Sequence, residues 1–79
     1  MARSIRQFTE ELIAESGWST SEAPKFAAWW FEVDKIVTQA IGVSTFEIGD
    51  WDYATAFEYG RKPTGVARQI ISLYKRGEL

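Results

Sequence analysis

Phe26-Ala27-Ala28-Trp29-Trp30-Phe31-Glu32-Val33-Asp34-Lys35-Ile36-Val37-Thr38-Gln39-Ala40-Ile41-Gly42 decides the fold class. At about 100° per residue, Phe26, Trp30, Val33, Val37, Ala40 and Ile41 fall on one face of a helix, with Trp29 and Ile36 at its edge. Glu32, Lys35 and Gln39 fall on the opposite face. Gly42 stops the helix, because glycine alone takes the left-handed C-terminal conformation without strain. Phe31 is the one large ring away from the stripe, near Asp34, Lys35 and Thr38. Either the helix is central and Phe31 meets the first or fourth helix, or the ring is exposed and marks a contact surface.

The same signals recur outward from this segment. Upstream, Ser19-Thr20-Ser21-Glu22 holds a serine followed three residues later by glutamate, a capping box, with the cap at Ser19, Thr20 or Ser21. Pro24 is tolerated in a first turn. Ile5, Phe8, Leu12 and Ile13 recur at helical spacing until Gly17, after which Trp18 is placed to pack back on the last turn. Downstream, Ser44-Thr45-Phe46-Glu47 repeats the capping pattern and opens a short turn interrupted by Gly49, and Asp50 can cap again. A third helix is expected over Trp51–Tyr59, ended by Gly60. A fourth is expected over Thr64–Lys75 after the Arg61-Lys62-Pro63 loop, with Val66, Ile70, Leu73 and Tyr74 inward and Gly77 closing it. No segment alternates with period two. The expected fold is all-α: a single domain over residues 1–79, a compact bundle of about four helices plus a short helical turn, without a sheet. Its core is expected at Phe8, Leu12, Phe26, Trp30, Val33, Val37, Phe57, Val66 and Ile70.

A chain of 79 residues buries only about 60–65% of its unfolded surface, so its stability margin is thin. Without cysteine it has no disulfide or thiolate metal site to help. Packing must suffice, and the four tryptophans, three tyrosines and five phenylalanines supply large apolar areas. The longest apolar run, Phe26 to Phe31, is too short to cross a bilayer. The basic N-terminus has no apolar signal core after it, so a cytoplasmic location is expected.

Most enzyme chemistry is excluded. The chain has no histidine, hence neither the commonest general base nor the commonest metal ligand. No Ser-x-x-Lys pair and no Gly-rich phosphate loop in a strand-to-helix setting is present. Asp50 and Asp52, with Glu47, could ligate a divalent cation, but the spacing of an EF-hand loop is absent and helix capping explains Asp50 more simply. No cofactor and no metal are expected, and the chain reads as a non-enzyme.

What remains is binding, and the charge is divided. Arg61, Lys62, Arg68, Lys75 and Arg76 against Glu78 give residues 61–79 a charge of +4, leaving −6 on the rest of a chain whose net charge is −2. The register Ile41-Gly42-Val43-Ser44 with Ile48 and Trp51 imitates a helix-turn-helix. Its would-be reading helix carries Glu47, Asp50 and Asp52 and no cation, so it would repel a duplex. The basic residues Arg61, Lys62, Arg68, Lys75 and Arg76 could meet phosphates, with Tyr74 available for stacking. Val66, Ile70 and Tyr74 share one face of the same helix and suit a core, which makes the cations a solvated face. The segment Phe46-Glu47-Ile48-Gly49-Asp50-Trp51-Asp52-Tyr53, followed by Phe57-Glu58-Tyr59, interleaves rings with carboxylates; tyrosine and tryptophan are enriched at protein interfaces, and rings that simply close a small core are the other reading.

The layout Asp50-Trp51 … Ala56-Phe57-Glu58-x-Gly60-x-x-Pro63-x-x-Val66-Ala67 resembles short uncharacterised bacteriophage proteins that are helical and lack histidine and cysteine. The resemblance covers about half the chain through a helix–Gly–Pro–helix corner. It implies a host-directed binding role, such as inhibition of a bacterial defence or transcription component, and carries over no site residue. The expected function is therefore a small protein that binds another protein through Phe31, Glu47, Asp50, Trp51, Asp52 and Glu58. Nucleic-acid binding through the basic C-terminal helix is the alternative. A third reading is a structural subunit that self-associates into a homo-oligomer. No membrane partner is expected.

Overall fold

The first helix begins at a cap that the hydrophobic stripe alone does not reveal. In the computed structural model, which describes residues 4–79, Ser4 accepts a hydrogen bond from the Gln7 amide at 3.1 Å while the Gln7 side chain accepts one from the Ser4 amide at 3.4 Å. This reciprocal pair satisfies two otherwise orphaned donors and starts α1, Ile5–Ser16. Gly17 ends it at φ 72°. The Trp18 amide donates to the Leu12 carbonyl at 3.1 Å, which turns the chain back. The Trp18 ring is partly buried against the core. It stacks on Phe26 of the next helix, centroids 4.3 Å apart.

Glu22 stands at the N-cap of α2, Ala23–Ile41, without a side-chain cap bond, and Ser19 holds the turn before it: its hydroxyl accepts from the Glu22 amide at 3.1 Å and its carbonyl from the Ala23 amide at 2.9 Å. Thr20 to Glu22 form a turn that leads directly into the helix. Gly42 closes α2 at φ 73°. Residues 45–47 make a single turn and no reading helix follows, so the helix-turn-helix register is not realised. The third helix, α3, is Tyr53–Glu58, shorter than expected at both ends. Its cap is Asp52, not Asp50: the Asp52 carboxylate accepts from the Thr55 amide at 3.1 Å and from the Thr55 hydroxyl at 2.6 Å. Helix α4, Pro63–Lys75, starts with proline in its first turn, where the missing amide hydrogen costs nothing. Among the described residues there is no strand, and no helix is long and apolar enough to cross a membrane.

Helix α2 is the hub. It packs against α4, α1 and α3, and those three rest on it far more than on one another. Small residues permit the close approach: Ala23 and Ala27 of α2, Ala56 of α3 and Ala67 of α4 are all buried beside Phe26, Val33, Val37, Val66 and Ile70. Of the expected core, Phe8, Leu12, Phe26, Val33, Val37, Val66 and Ile70 are buried, while Trp30 and Phe57 each keep an edge in solvent. A large ring seldom fits wholly inside so small a protein. Two ends of the expected stripes are uncovered: Ile5 is 46% exposed, and Ala40 is exposed because no helix covers the last turn of α2 on that side. On α4, Leu73 and Tyr74 are half-buried.

Ten aromatic rings form one connected network. Trp30 is its node, stacked on Tyr53 at 4.2 Å and on Phe46 at 5.2 Å, edge-on to Phe8 at 4.9 Å, and 5.5 Å from Phe26. From Phe26 the network continues to Trp18, Trp29 and Phe57, and from Tyr53 to Trp51. Phe31 takes the first of its two alternatives: it is half-buried and meets Phe8 of α1 and Phe46, each at 5.9 Å.

A polar knot fixes the 45–47 turn to α2. One carboxylate oxygen of Asp34 accepts from the Ser44 hydroxyl at 2.8 Å, the Thr45 amide at 2.7 Å and the Thr45 hydroxyl at 2.8 Å. The Trp30 indole in turn donates to the Thr45 hydroxyl oxygen at 2.9 Å. Thr45 is only 3% exposed, so these bonds satisfy groups that have no access to water.

Candidate interaction site

Because α3 starts at Tyr53, Trp51 lies outside the helix, at the joint between the 45–47 turn and α3. The ring is half-buried, edge-on to Tyr53 at 5.1 Å. The Arg61 guanidinium lies over it, 6.0 Å from the centroid, at the outer limit of a cation–π contact. The backbone of Arg61 is itself anchored, since its carbonyl accepts a 2.8 Å hydrogen bond from the Trp29 indole. Gly60, at φ 73°, makes the bend that brings Arg61 back to this position.

Trp51, Asp52, Thr55, Ala56, Tyr59 and Arg61 line an open depression of about 260 Å³. Tyr59 forms its rim and is 81% exposed, by far the most exposed large ring of the chain. On its other flank Trp51 lines a second, smaller cavity of about 170 Å³, together with Trp30, Thr45, Phe46, Asp50 and Tyr53. The two depressions therefore share one indole. A third hollow of about 420 Å³, lined by Ser16 to Ser19, Glu22, Ala54 and Glu58, lies at the junction of α1 and α2 against α3.

Two titratable groups are perturbed here. The Asp52 carboxyl is held below the usual carboxylate range by the Thr55 hydroxyl and then by the Thr55 amide, both of which favour the charged form. A depressed pKa contributes stability above the unfolded value, and that contribution is lost as pH falls through the folded value. Asp52→Ala is therefore expected to lower the thermal midpoint at neutral pH, with the gap from the parent closing as pH falls through the folded carboxyl's lowered titration range, as melting curves across pH will show. The Tyr53 phenol is pushed up to about 12, first by burial, then by the Asp34 charge, with Thr45 offsetting part of the rise. The Thr45 side chain is the polar group next to its hydroxyl, which is otherwise enclosed.

The residues expected at the contact surface divide. Trp51 and Asp52 meet in the 260 Å³ depression and Asp50 joins Trp51 in the smaller cavity. Glu58 lines the hollow near Trp18, Glu47 is exposed, and Phe31 packs on the α1 side. Tyr59 and Arg61 were not part of that expected set. Tyr59 follows Phe57 in a segment that already interleaves rings and acids, but ring exposure depends on where α3 ends. By charge Arg61 belongs with the basic helix; the Gly60 bend separates it from that helix and brings it to Trp51. Of the other cations, Arg68 and Lys75 are exposed on α4, Lys62 precedes it, and Arg76 pairs with Glu78 at 3.0 Å. Among the described residues no three acidic side chains are grouped closely enough to hold a metal ion, so the Glu47, Asp50 and Asp52 cation reading has no geometric support.

No family model, no curated protein and no solved structure matches this chain.

Proposed function

We propose that the chain is a non-catalytic binding protein that recognises another protein through Trp51, Tyr59 and Arg61, flanked by Asp50, Asp52 and Glu58. The observation that carries this reading is the 81% exposure of Tyr59 beside a half-buried tryptophan and an arginine in one open depression. Tryptophan, tyrosine and arginine are the residues in which binding energy concentrates at protein interfaces. An exposed ring in a chain this small costs solubility and contributes nothing to its own core. The absence of histidine and cysteine agrees with a role that needs no acid–base or metal chemistry. The resemblance to short phage proteins suits a partner in a bacterial host, with inhibition of that partner as the outcome.

Affinity capture from a bacterial lysate with the parent and with Tyr59→Ala tests this reading. Tyr59→Ala is expected to leave the thermal midpoint nearly unchanged while weakening capture of a specific protein roughly thirty-fold. Equal capture by both forms would remove Tyr59 from the interface and the reading with it. Salt-sensitive binding to generic DNA or RNA that is lost in Arg68→Ala/Lys75→Ala would favour the basic helix instead. A concentration-dependent mass without any partner would favour self-association.

A further inference from the structure

The open depression beside Tyr59 is rich in uncommitted donors, while its acceptor is already engaged. Asp52 is the one carboxylate among its lining residues. One Asp52 oxygen accepts from the Thr55 amide at 3.1 Å and the other from the Thr55 hydroxyl at 2.6 Å. The Arg61 guanidinium belongs to the same depression and forms no ion pair with Asp52 or with any other described residue. Its contact is the Trp51 ring, 6.0 Å away. Lys62, next in the chain, is exposed and equally without an ion pair among the described residues. The Tyr59 hydroxyl and the Trp51 indole N–H make no hydrogen bond among the described residues either. Arg61 is nevertheless not a loosely hung cation. Its amide donates to the Ala56 carbonyl at 3.1 Å and its carbonyl accepts from the Trp29 indole at 2.8 Å, so the side chain starts from a point pinned to both α3 and α2. A stem fixed in advance reduces the freedom lost when the guanidinium engages a ligand.

We propose that the depression receives one carboxylate side chain, a glutamate or aspartate of the protein partner, which pairs with the Arg61 guanidinium between the Trp51 and Tyr59 rings. The inference rests on the protein-binding reading above and gives that partner a chemical signature, an acidic residue in its contact surface. The planar guanidinium fork matches a carboxylate with two parallel N–H donors. A basic side chain from the partner would meet a like charge at Arg61. A neutral one would leave Arg61 without a counter-charge once the partner excludes water. A nucleic acid would bring a dense run of phosphates against the −6 carried by residues 1–60. A single carboxylate at Arg61 is screened from distant acids, since the Debye length at physiological ionic strength is about 8 Å. Asp52 is the opposing charge in the depression itself, and the two Thr55 donors already meet it.

The test uses the intact chain and two capped tripeptides, Gly-Glu-Gly and Gly-Gln-Gly, titrated at constant ionic strength while the tryptophan indole N–H signals are followed by NMR. A saturable shift of the Trp51 indole with the glutamate peptide is expected. The glutamine peptide, which keeps the shape and loses the charge, should bind about tenfold more weakly. Arg61→Gln should abolish that preference, so that both peptides bind alike, while the melting temperature stays nearly unchanged because the side chain is exposed. Arg61→Lys keeps the charge without the fork and should retain part of the preference. Equal binding of the two peptides by the parent, a preference that survives Arg61→Gln, or no saturable response to glutamate overturns the inference. A random-sequence DNA duplex should leave the Trp51 signal in place; a tighter response to it than to the glutamate peptide, lost in Arg61→Gln, assigns Arg61 to phosphate and overturns the inference as well. Once a partner is captured, the two ideas separate. If Tyr59→Ala and Arg61→Gln both weaken capture, both are supported. If Tyr59→Ala weakens it while Arg61→Gln captures as the parent does, the carboxylate inference fails and the interface stands. If both variants capture normally, the interface reading itself falls.

Discussion

Trp30→Ala is expected to cost about 3–5 kcal/mol and to leave much of the population unfolded at ambient temperature. A domain of this size has a total stability of only about 4–12 kcal/mol. The ring contacts Phe8, Phe26, Phe46 and Tyr53 at once, so its removal opens a void bounded by α1, α3 and the 45–47 turn. The indole N–H is lost with it, and the Thr45 hydroxyl loses its donor. Trp30 keeps an edge in solvent, which places the cost below that of a wholly enclosed indole but not below that of an ordinary core residue. Urea denaturation followed by the remaining tryptophans measures it. A midpoint close to the parent's would mean that the rings close over the gap and that Trp30 is not the node of the network.

Asp34→Ala should be nearly as damaging, at about 2–4 kcal/mol, for a different physical reason. The substitution removes almost no apolar contact. It strands the Thr45 amide and two hydroxyls that all converge on one carboxylate oxygen. The amide is the critical loss, because Thr45 is buried and water cannot replace the acceptor. Asp34→Asn retains an acceptor oxygen and should cost distinctly less. Equal losses for the two variants would show that charge, rather than the number of accepted bonds, holds the 45–47 turn.

This pair of predictions marks the boundary of what could be read from residue order. Gly17 and Gly42 announce the ends of α1 and α2 because a left-handed cap is a local requirement, and both stand there. The inward stripe of α2 is legible through Phe26, Val33 and Val37 for the same local reason. The choice between Asp50 and Asp52 as cap is not, since two aspartates two residues apart offer the same side chain to the same helix start. The burial of Ala23, Ala27, Ala56 and Ala67 is hard to read from order because helical wheels reward bulk, whereas helices approach closely where bulk is missing. The Ser4–Gln7 box has the spacing of a capping pair, and its signal is weaker than that of the apolar residues after it. Asp34 reads as a polar residue on the flank of a helix. Its three donors arrive from residues ten and eleven positions further along, after the chain has turned back at Gly42. At the site, the order of residues located Trp51 and its acids, while the exposure of Tyr59 and the position of Arg61 depend on the Gly60 bend that follows α3.

A helix on which three others rest also sets how the chain comes apart. Since α1, α3 and α4 share few direct contacts, each can detach from α2 without first disturbing the other two. Amide protons of α1, whose buried side chains are only Phe8 and Leu12, should exchange with solvent through partial openings well below the global free energy. Those of α2 beneath α4 should exchange only when the whole molecule opens. The Trp51–Tyr59 surface lies on short α3 and its flanks, whose contact with the hub is the slightest of the three. Engagement of a partner there should appear in hydrogen exchange as slower opening of α3 while α1 keeps its unbound rate, so the two helices would report separately on association and on folding.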